Sequence, residues 1–90
     1  MAEFVAQARG LEVHQVPDGY IVYQSERERV HYLNKTAAII FEFCDGAHAP
    51  DDIVARVAKV FELGPSAHDE IRAGLDSLVR EGLILSTSKS

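Results

Sequence analysis

The sequence predicts an α+β fold, in which a three-stranded antiparallel β-meander precedes a three-helix bundle of the winged helix-turn-helix type. Two observations predict this fold. The first half has short β-branched and aromatic segments between turn signals, and after Leu33 the apolar residues recur at every third or fourth position. Because 90 residues enclose one hydrophobic core, we expect a single domain over residues 1–90, with residues 1–8 and 86–90 frayed.

The three predicted strands are separated by two turns. Residues 11–16 and 20–23 form the first two strands, and the turn residues Pro17, Asp18 and Gly19 lie between them. The charged segment 25–28 has no apolar residue to bury, so it separates the second strand from a third at residues 29–33. The third strand of a meander lies at an edge, where its outer N–H and C=O groups have no partner strand.

Three helices are predicted after the strands. The first spans residues 35–44, with Asn34 as its N-cap and Ala37, Ile40, Phe41 and Cys44 as its buried stripe. The second begins near Pro50 and stops at residues 63–65, and the third begins at a Ser66 cap and closes at Gly82. Residues 83–85 are then expected to return to the sheet. The apolar faces of the second and third helices consist of Ile53, Val57, Val60 and Phe61, and of Ile71, Leu75, Leu78 and Val79.

Composition excludes several classes of function. With 47% hydrophobic and 26% charged residues the chain is typical of globular proteins, and its net charge of −5 disfavours nucleic acid as a partner. No apolar run is long enough to cross a membrane, and the N-terminus lacks the pattern of a signal peptide. The single cysteine, Cys44, agrees with a reducing compartment. We therefore expect a cytoplasmic protein that does not bind membranes.

No pattern of a catalytic, cofactor or metal site occurs in the sequence. The four histidines are not at ligand spacing with cysteines or carboxylates, so no metal site is expected. There is no glycine-rich phosphate loop and no nucleophile with a basic neighbour, and Cys44 fits a small buried apolar residue. We predict a protein that is not an enzyme, with no catalytic residue and no cofactor.

Four segments, in this order and spacing, resemble the PqqD family over residues 9–85. They are DGYIVY at 18–23, VHYLNKTAA at 30–38, FCDG at 43–46 and LVREGLI at 78–84. The resemblance implies a peptide-recognition element that binds the leader segment of a ribosomally made precursor peptide and presents it to a modifying enzyme, often a radical SAM enzyme. It also implies that the leader adds as a strand beside the third strand, next to the third helix. Residues 24–28 differ from the Pro-Glu turn of the founding group, so the product is not assigned.

The candidate peptide-binding residues lie on the third strand and the third helix. Alternation along a strand turns either Val30 and Tyr32 or His31 and Leu33 toward the helices. We expect Leu33 inward, because it runs into the buried helix, which leaves Val30 and Tyr32 partly exposed. Tyr32 is then either an aromatic contact for the peptide or a cross-strand packing residue. The full predicted set is Arg29, Val30, His31, Tyr32, Leu33, Arg72, Leu75, Asp76 and Val79.

On the third helix, Arg72 and Asp76 are four residues apart, so they either contact polar side chains of the leader or form a solvated salt bridge. Leu75 and Val79 are predicted to contribute to the floor of a leader pocket, whereas Leu78 is assigned to the core. Gly74 inside this helix indicates a close backbone approach by either the peptide or a neighbouring helix, and helix packing is the favoured cause.

Two other functions are compatible with the predicted fold. One is DNA binding through the third helix, although Arg72 and Arg80 there are outnumbered by four acids, which leaves a net charge of −2. The other is homo-oligomerisation through the exposed edge strand, which allows a monomer or a weak homodimer. Leader-peptide binding remains the leading hypothesis.

Overall fold

The computed structural model describes residues 3–88 and contains six strands and three α-helices within that range. Two short 3-10 segments, Ser25–Arg27 and Pro65–Ala67, lie between them. In chain order the elements are β1 (Glu3–Gln7), β2 (Leu11–Val16), β3 (Gly19–Gln24), β4 (Arg29–Asn34), α1 (Lys35–Phe43), β5 (Asp45–His48), α2 (Pro50–Val60), α3 (His68–Arg80) and β6 (Ile84–Ser88).

The predicted meander is confirmed, and β4 is its third strand. Strands β2, β3 and β4 are antiparallel neighbours in that order, and Val22 of β3 lies opposite Val13 of β2 and His31 of β4. The connection from β3 to β4 is the 3-10 segment, followed by Glu28 in a left-handed conformation. Three helices follow this sheet, which confirms the predicted α+β arrangement.

A second sheet, which the sequence did not predict, joins the two ends of the described chain. Strand β1 lies between β5 and β6 and is antiparallel to both. The prediction that residues 83–85 return to the meander was therefore wrong, because Ile84 and Leu85 lie opposite Gln7 and Ala6 of β1. Of the ends expected to fray, residues 3–7 pair with residues 84–88 in this sheet, and residues 1, 2, 89 and 90 lie outside the described range.

The ends of the helices follow the sequence signals with one exception. The side chain of Asn34 accepts a hydrogen bond from the backbone N–H of Ala37 at 2.9 Å, which confirms the N-cap of α1. Gly82 follows α3 with φ of 79° and confirms its C-terminal signal. The Ser66 cap was wrong: Ser66 lies inside the second 3-10 segment, and α3 starts at His68 without a side-chain cap.

The core lies between the helices and the two sheets: α1 packs against β3 and β4, α2 against β1, and α3 against β6. Two residues of the predicted helical faces are exposed instead of buried: Val60 is 52% exposed and Val79 is 37% exposed. The largest fully buried side chains are Phe41, Ile40, Ile53, Ile71, Leu75, Leu83, Ile84, Val5, Val22, Val57 and Cys44. No helix among residues 3–88 is long and apolar enough to span a membrane.

Gly19 is required where β3 pairs with β4. Its φ is 151°, and a Cβ atom at this position would overlap the carbonyl oxygen of Leu33 on the neighbouring strand. The Gly19→Ala variant is expected to lower the free energy of unfolding by about 2–4 kcal/mol, because either the backbone or the strand pairing must shift. Urea denaturation measures the change. Gly64→Ala is the matched control, since a Cβ atom added at Gly64 would have no neighbour within 4 Å; equal losses in both variants would contradict this explanation.

Candidate functional site

A cleft of about 410 Å³ lies between β4 and α3. Its floor is apolar, because Leu33, Leu78 and Leu83 are buried there, with exposures of 4%, 4% and 1%. Polar groups lie toward its rim. The cleft is lined by Val30, His31, Tyr32, Leu33, Ala37, Gly74, Ser77, Leu78, Glu81 and Leu83. An apolar floor with a few polar groups at the rim is typical of ligand-binding sites.

The outer edge of β4 borders this cleft. In the meander β4 has β3 on one side, and within residues 3–88 no strand pairs with its other side. Its outward N–H and C=O groups are therefore available to an added strand. The cleft thus combines a main-chain hydrogen-bonding edge with an apolar pocket beside it.

The structure confirms which face of β4 points inward. Leu33 is buried and the His31 side chain is only 12% exposed, whereas Val30 and Tyr32 are 66% and 59% exposed. Tyr32 lies opposite Ile21 of β3, and its hydroxyl donates a hydrogen bond to the carbonyl oxygen of Asp18 at 3.2 Å. Tyr32 therefore has a cross-strand neighbour and still presents most of its surface to solvent.

A chain of polar contacts closes one end of the cleft. Gln24, which is 7% exposed, donates a hydrogen bond from Nε2 to the carbonyl oxygen of Gly82 at 3.3 Å. Its Oε1 lies 3.2 Å from Nε2 of His31 and accepts a hydrogen bond from the tautomer that carries its proton on Nε2. Nδ1 of His31 lies 3.9 Å from the Glu81 carboxylate, which is also 3.8 Å from Nη1 of Arg29. These contacts tie the C-terminal end of α3 to β3 and β4.

Of the nine predicted site residues, the four at positions 30 to 33 line the cleft, and Arg29 lies at its end beside Glu81. Arg72 and Asp76 do not line it. Nη1 of Arg72 is 2.8 Å from Asp51 Oδ1 on α2 and its Nε is 3.5 Å from Asp76 Oδ1, as the salt-bridge interpretation expected. This flank of α3 faces α2, and contact of the two residues with a leader peptide stays a prediction.

The other two helical candidates also lie elsewhere. Leu75 is only 1% exposed and belongs to the core, and Val79 is exposed outside the residues that line the cleft. Their role in peptide binding stays a prediction. The residues of α3 and its C-terminal turn that do line the cleft are Gly74, Ser77, Leu78 and Glu81, which are spaced three or four residues apart along one side of the helix. The sequence signal for this side is the run of small residues at Gly74 and Ser77 beside the buried stripe.

Gly74 has the role that the sequence favoured. A Cβ atom there would lie 3.2 Å from Cδ1 of Ile40, so the absence of a side chain lets α3 pack closely against α1. Gly74 also lines the cleft, where the missing side chain leaves the apolar floor accessible.

The shifted pKa values have structural causes outside the cleft. Burial raises the pKa of the Cys44 thiol to about 12, and its Sγ donates a hydrogen bond to the carbonyl oxygen of Ile40 at 3.1 Å. A hydrogen bond from the Ala47 backbone N–H lowers the pKa of Asp45, and one to Glu42 raises the pKa of Tyr20. No group of three metal-binding side chains occurs among the residues described.

Comparison with known proteins gave one family and two solved structures. The model of the family described as coenzyme PQQ synthesis protein D (PqqD) matches residues 19–84. A lasso peptide synthetase B1 complexed with the leader peptide superimposes with a TM-score of 0.72 at 24% identity, over 90% of this chain and 96% of the other. TbiB1 in complex with the TbiA(beta) leader peptide gives 0.74 at 13% identity, over 93% and 99%. At these identities the structures show a shared fold. No curated protein matches the chain.

The raised pKa of Cys44 leads to a prediction about its reactivity. Its ordinary pKa of 9.0 rises to about 12, so the thiolate fraction at about pH 8 falls roughly a thousandfold, and burial also blocks access. We expect native protein to react with a thiol reagent only as fast as it unfolds, and urea-unfolded protein to react at once. Ser66→Cys, which adds an exposed thiol, is the control. If Cys44 reacted as fast as the thiol introduced at position 66, its burial would be contradicted.

Proposed function

Because the chain belongs to the PqqD family, we propose that it binds the leader segment of a ribosomally made precursor peptide and presents that segment to a modifying enzyme. The leader adds as an antiparallel or parallel strand to the outer edge of β4, in the cleft beside α3. Two proteins of the same fold are known in complexes with leader peptides, which supports this proposal. The chain itself is a non-catalytic, cytoplasmic partner, and a radical SAM enzyme is one class of enzyme that it serves.

The observation that carries the proposal is the coincidence of an unpaired edge and an apolar floor at β4. Each main-chain hydrogen bond to an added strand contributes about 0.5–1.5 kcal/mol net. Four or five such bonds, together with one or two side chains buried against Leu33, Leu78 and Leu83, correspond to roughly micromolar binding. Backbone pairing supplies affinity, and the pocket supplies the choice of peptide.

The two faces of the added strand meet different surroundings. Successive side chains of a strand point to opposite sides. One set enters the cleft above Leu78 and Leu83, and the other set lies on the outer face beside the exposed Val30 and Tyr32. The leader is therefore expected to carry apolar residues at alternate positions, with a bulky residue on the cleft side.

The direct experiment uses leader peptides from short precursor peptides encoded beside the gene, each N-methylated at a single residue. N-methylation removes one N–H donor, and in an edge strand only alternate N–H groups point to the neighbouring strand. We expect binding, measured by calorimetry, to fall at every second position over the segment that lies along β4. Recognition through side chains alone would show no such alternation and would contradict strand addition.

A bulky side chain in the cleft is expected to block the peptide. Ser77 is exposed and lines the cleft, so a tyrosine there occupies the space between α3 and β4. We expect Ser77→Tyr to weaken leader binding at least about tenfold without lowering the unfolding midpoint.

Ala73→Tyr is the matched control, since Ala73 is exposed on α3 and does not line the cleft. Equal affinity for Ser77→Tyr and the wild type would show that the peptide binds elsewhere.

A further inference from the structure

A second pocket, of about 310 Å³, lies beyond the Arg29 end of the cleft. We define it as the arginine pocket because two arginines, Arg9 and Arg27, contribute to its wall. Leu85, which is 51% exposed, adds an apolar surface. The complete lining is Ala8, Arg9, Gly10, Gln24, Glu26, Arg27, Gly82 and Leu85.

The two guanidinium groups have unused donors. Within residues 3–88, neither Arg9 nor Arg27 has an ion pair or a side-chain hydrogen bond, although other arginines, such as Arg56 and Arg72, are paired with aspartates. The guanidinium group of Arg27 lies next to Gly82 at the end of α3. A Cβ atom built on Gly82 would be 3.1 Å from Nη1 of Arg27. Guanidinium groups bind carboxylates through paired N–H donors, so a carboxylate is the ligand that this wall fits.

The arginine pocket follows directly on the cleft. Gln24 lines the pocket and is hydrogen-bonded to His31, which lines the cleft. Glu81 at the end of the cleft is followed in the chain by Gly82, which lines the pocket. A peptide that runs along β4 past Arg29 therefore reaches Arg27 next.

We propose that the arginine pocket binds the carboxylate of an Asp or Glu side chain in the leader, just outside the segment that pairs with β4. This inference rests on the proposed function and adds a rule for the substrate: an acidic residue flanks the alternating apolar segment on the Arg29 side. In a protein of net charge −5, such a local positive site fixes the register of the peptide along the edge.

Two features of the pocket shape the test. Glu26 also lines it, so removing that negative charge strengthens binding of an acidic peptide. Arg27 lies at the C-terminal end of α3, where a cation also stabilises a helix. A purely structural Arg27 would affect unfolding and leave the choice of peptide unchanged.

The experiment selects binders from a displayed library of random peptides on the full chain and, in parallel, on the Arg9→Gln/Arg27→Gln variant. We expect wild-type binders to carry an acidic residue on one flank of the apolar alternation, and the variant to select the alternation without the acid. For a synthesised binder, replacing the acid by its amide is expected to weaken wild-type binding about tenfold and variant binding not at all. Glu26→Gln should tighten the acidic peptide. Lys59→Gln on α2, which also removes one positive charge, is the matched control for Arg9→Gln alone.

Each result has one meaning. Arg9→Gln alone, at a position outside the helices and strands, gives the same answer if the double variant unfolds. An acid preference that survives in the variants, or its absence in the wild type, overturns the arginine pocket while leaving strand addition intact. Binders that cause no amide shifts in β4 and α3 overturn the proposed function, and the arginine pocket with it.

Discussion

The pairing of β1 with β6 is the constraint on which the rest of the structure depends. Five residue pairs, from Glu3 with Ser88 to Gln7 with Ile84, join the two ends of the described chain. They hold the last strand in the second sheet, away from the meander. The strand that could have covered β4 is therefore already paired, and the outer edge of β4 stays available next to α3. The same pairing buries Val5, Leu83 and Ile84, so the available edge and the core share one cause.

The distance between α3 and β4 is set at two points. Gly74 lets α3 approach α1 closely at Ile40, and the buried Gln24 ties the Gly82 carbonyl group to the meander through hydrogen bonds. Between these points the helix presents small or apolar residues to the edge strand, and a cleft remains. Leaving a buried amide or carbonyl group without a partner costs about 1–3 kcal/mol, which makes the Gln24 contacts a firm anchor. The recognition site is thus a gap between two fixed elements, and no strand within residues 3–88 fills it.

The sequence predicted those parts of the fold that depend on local signals. The alternation of residues predicted the bounds of β2, and Asn34 predicted the start of α1. Leu33 was predicted to point inward because it precedes the buried helix, and it is buried. Strand β1 was not predicted because Val5 is the one fully buried side chain among residues 4–7, which leaves little pattern, and because its partner β6 lies far along the chain. For α3, periodicity identified the buried stripe but not which flank faces β4. That choice depends on tertiary packing, so Arg72 and Asp76 were assigned to the cleft while Ser77 and Glu81 were missed, and Gly74 was singled out but not included in the predicted site.

The central claim is that β4 receives a strand. Amide hydrogen exchange, measured residue by residue by NMR with and without the leader of a precursor peptide encoded beside the gene, tests it most directly. Strand addition protects the outward N–H groups of β4, at every second residue of Arg29–Asn34, and leaves the opposite edge of the meander, Leu11–Val16, unchanged. Protection of Leu11–Val16 instead, or peptide binding without any slowing of exchange in β4, would contradict the account.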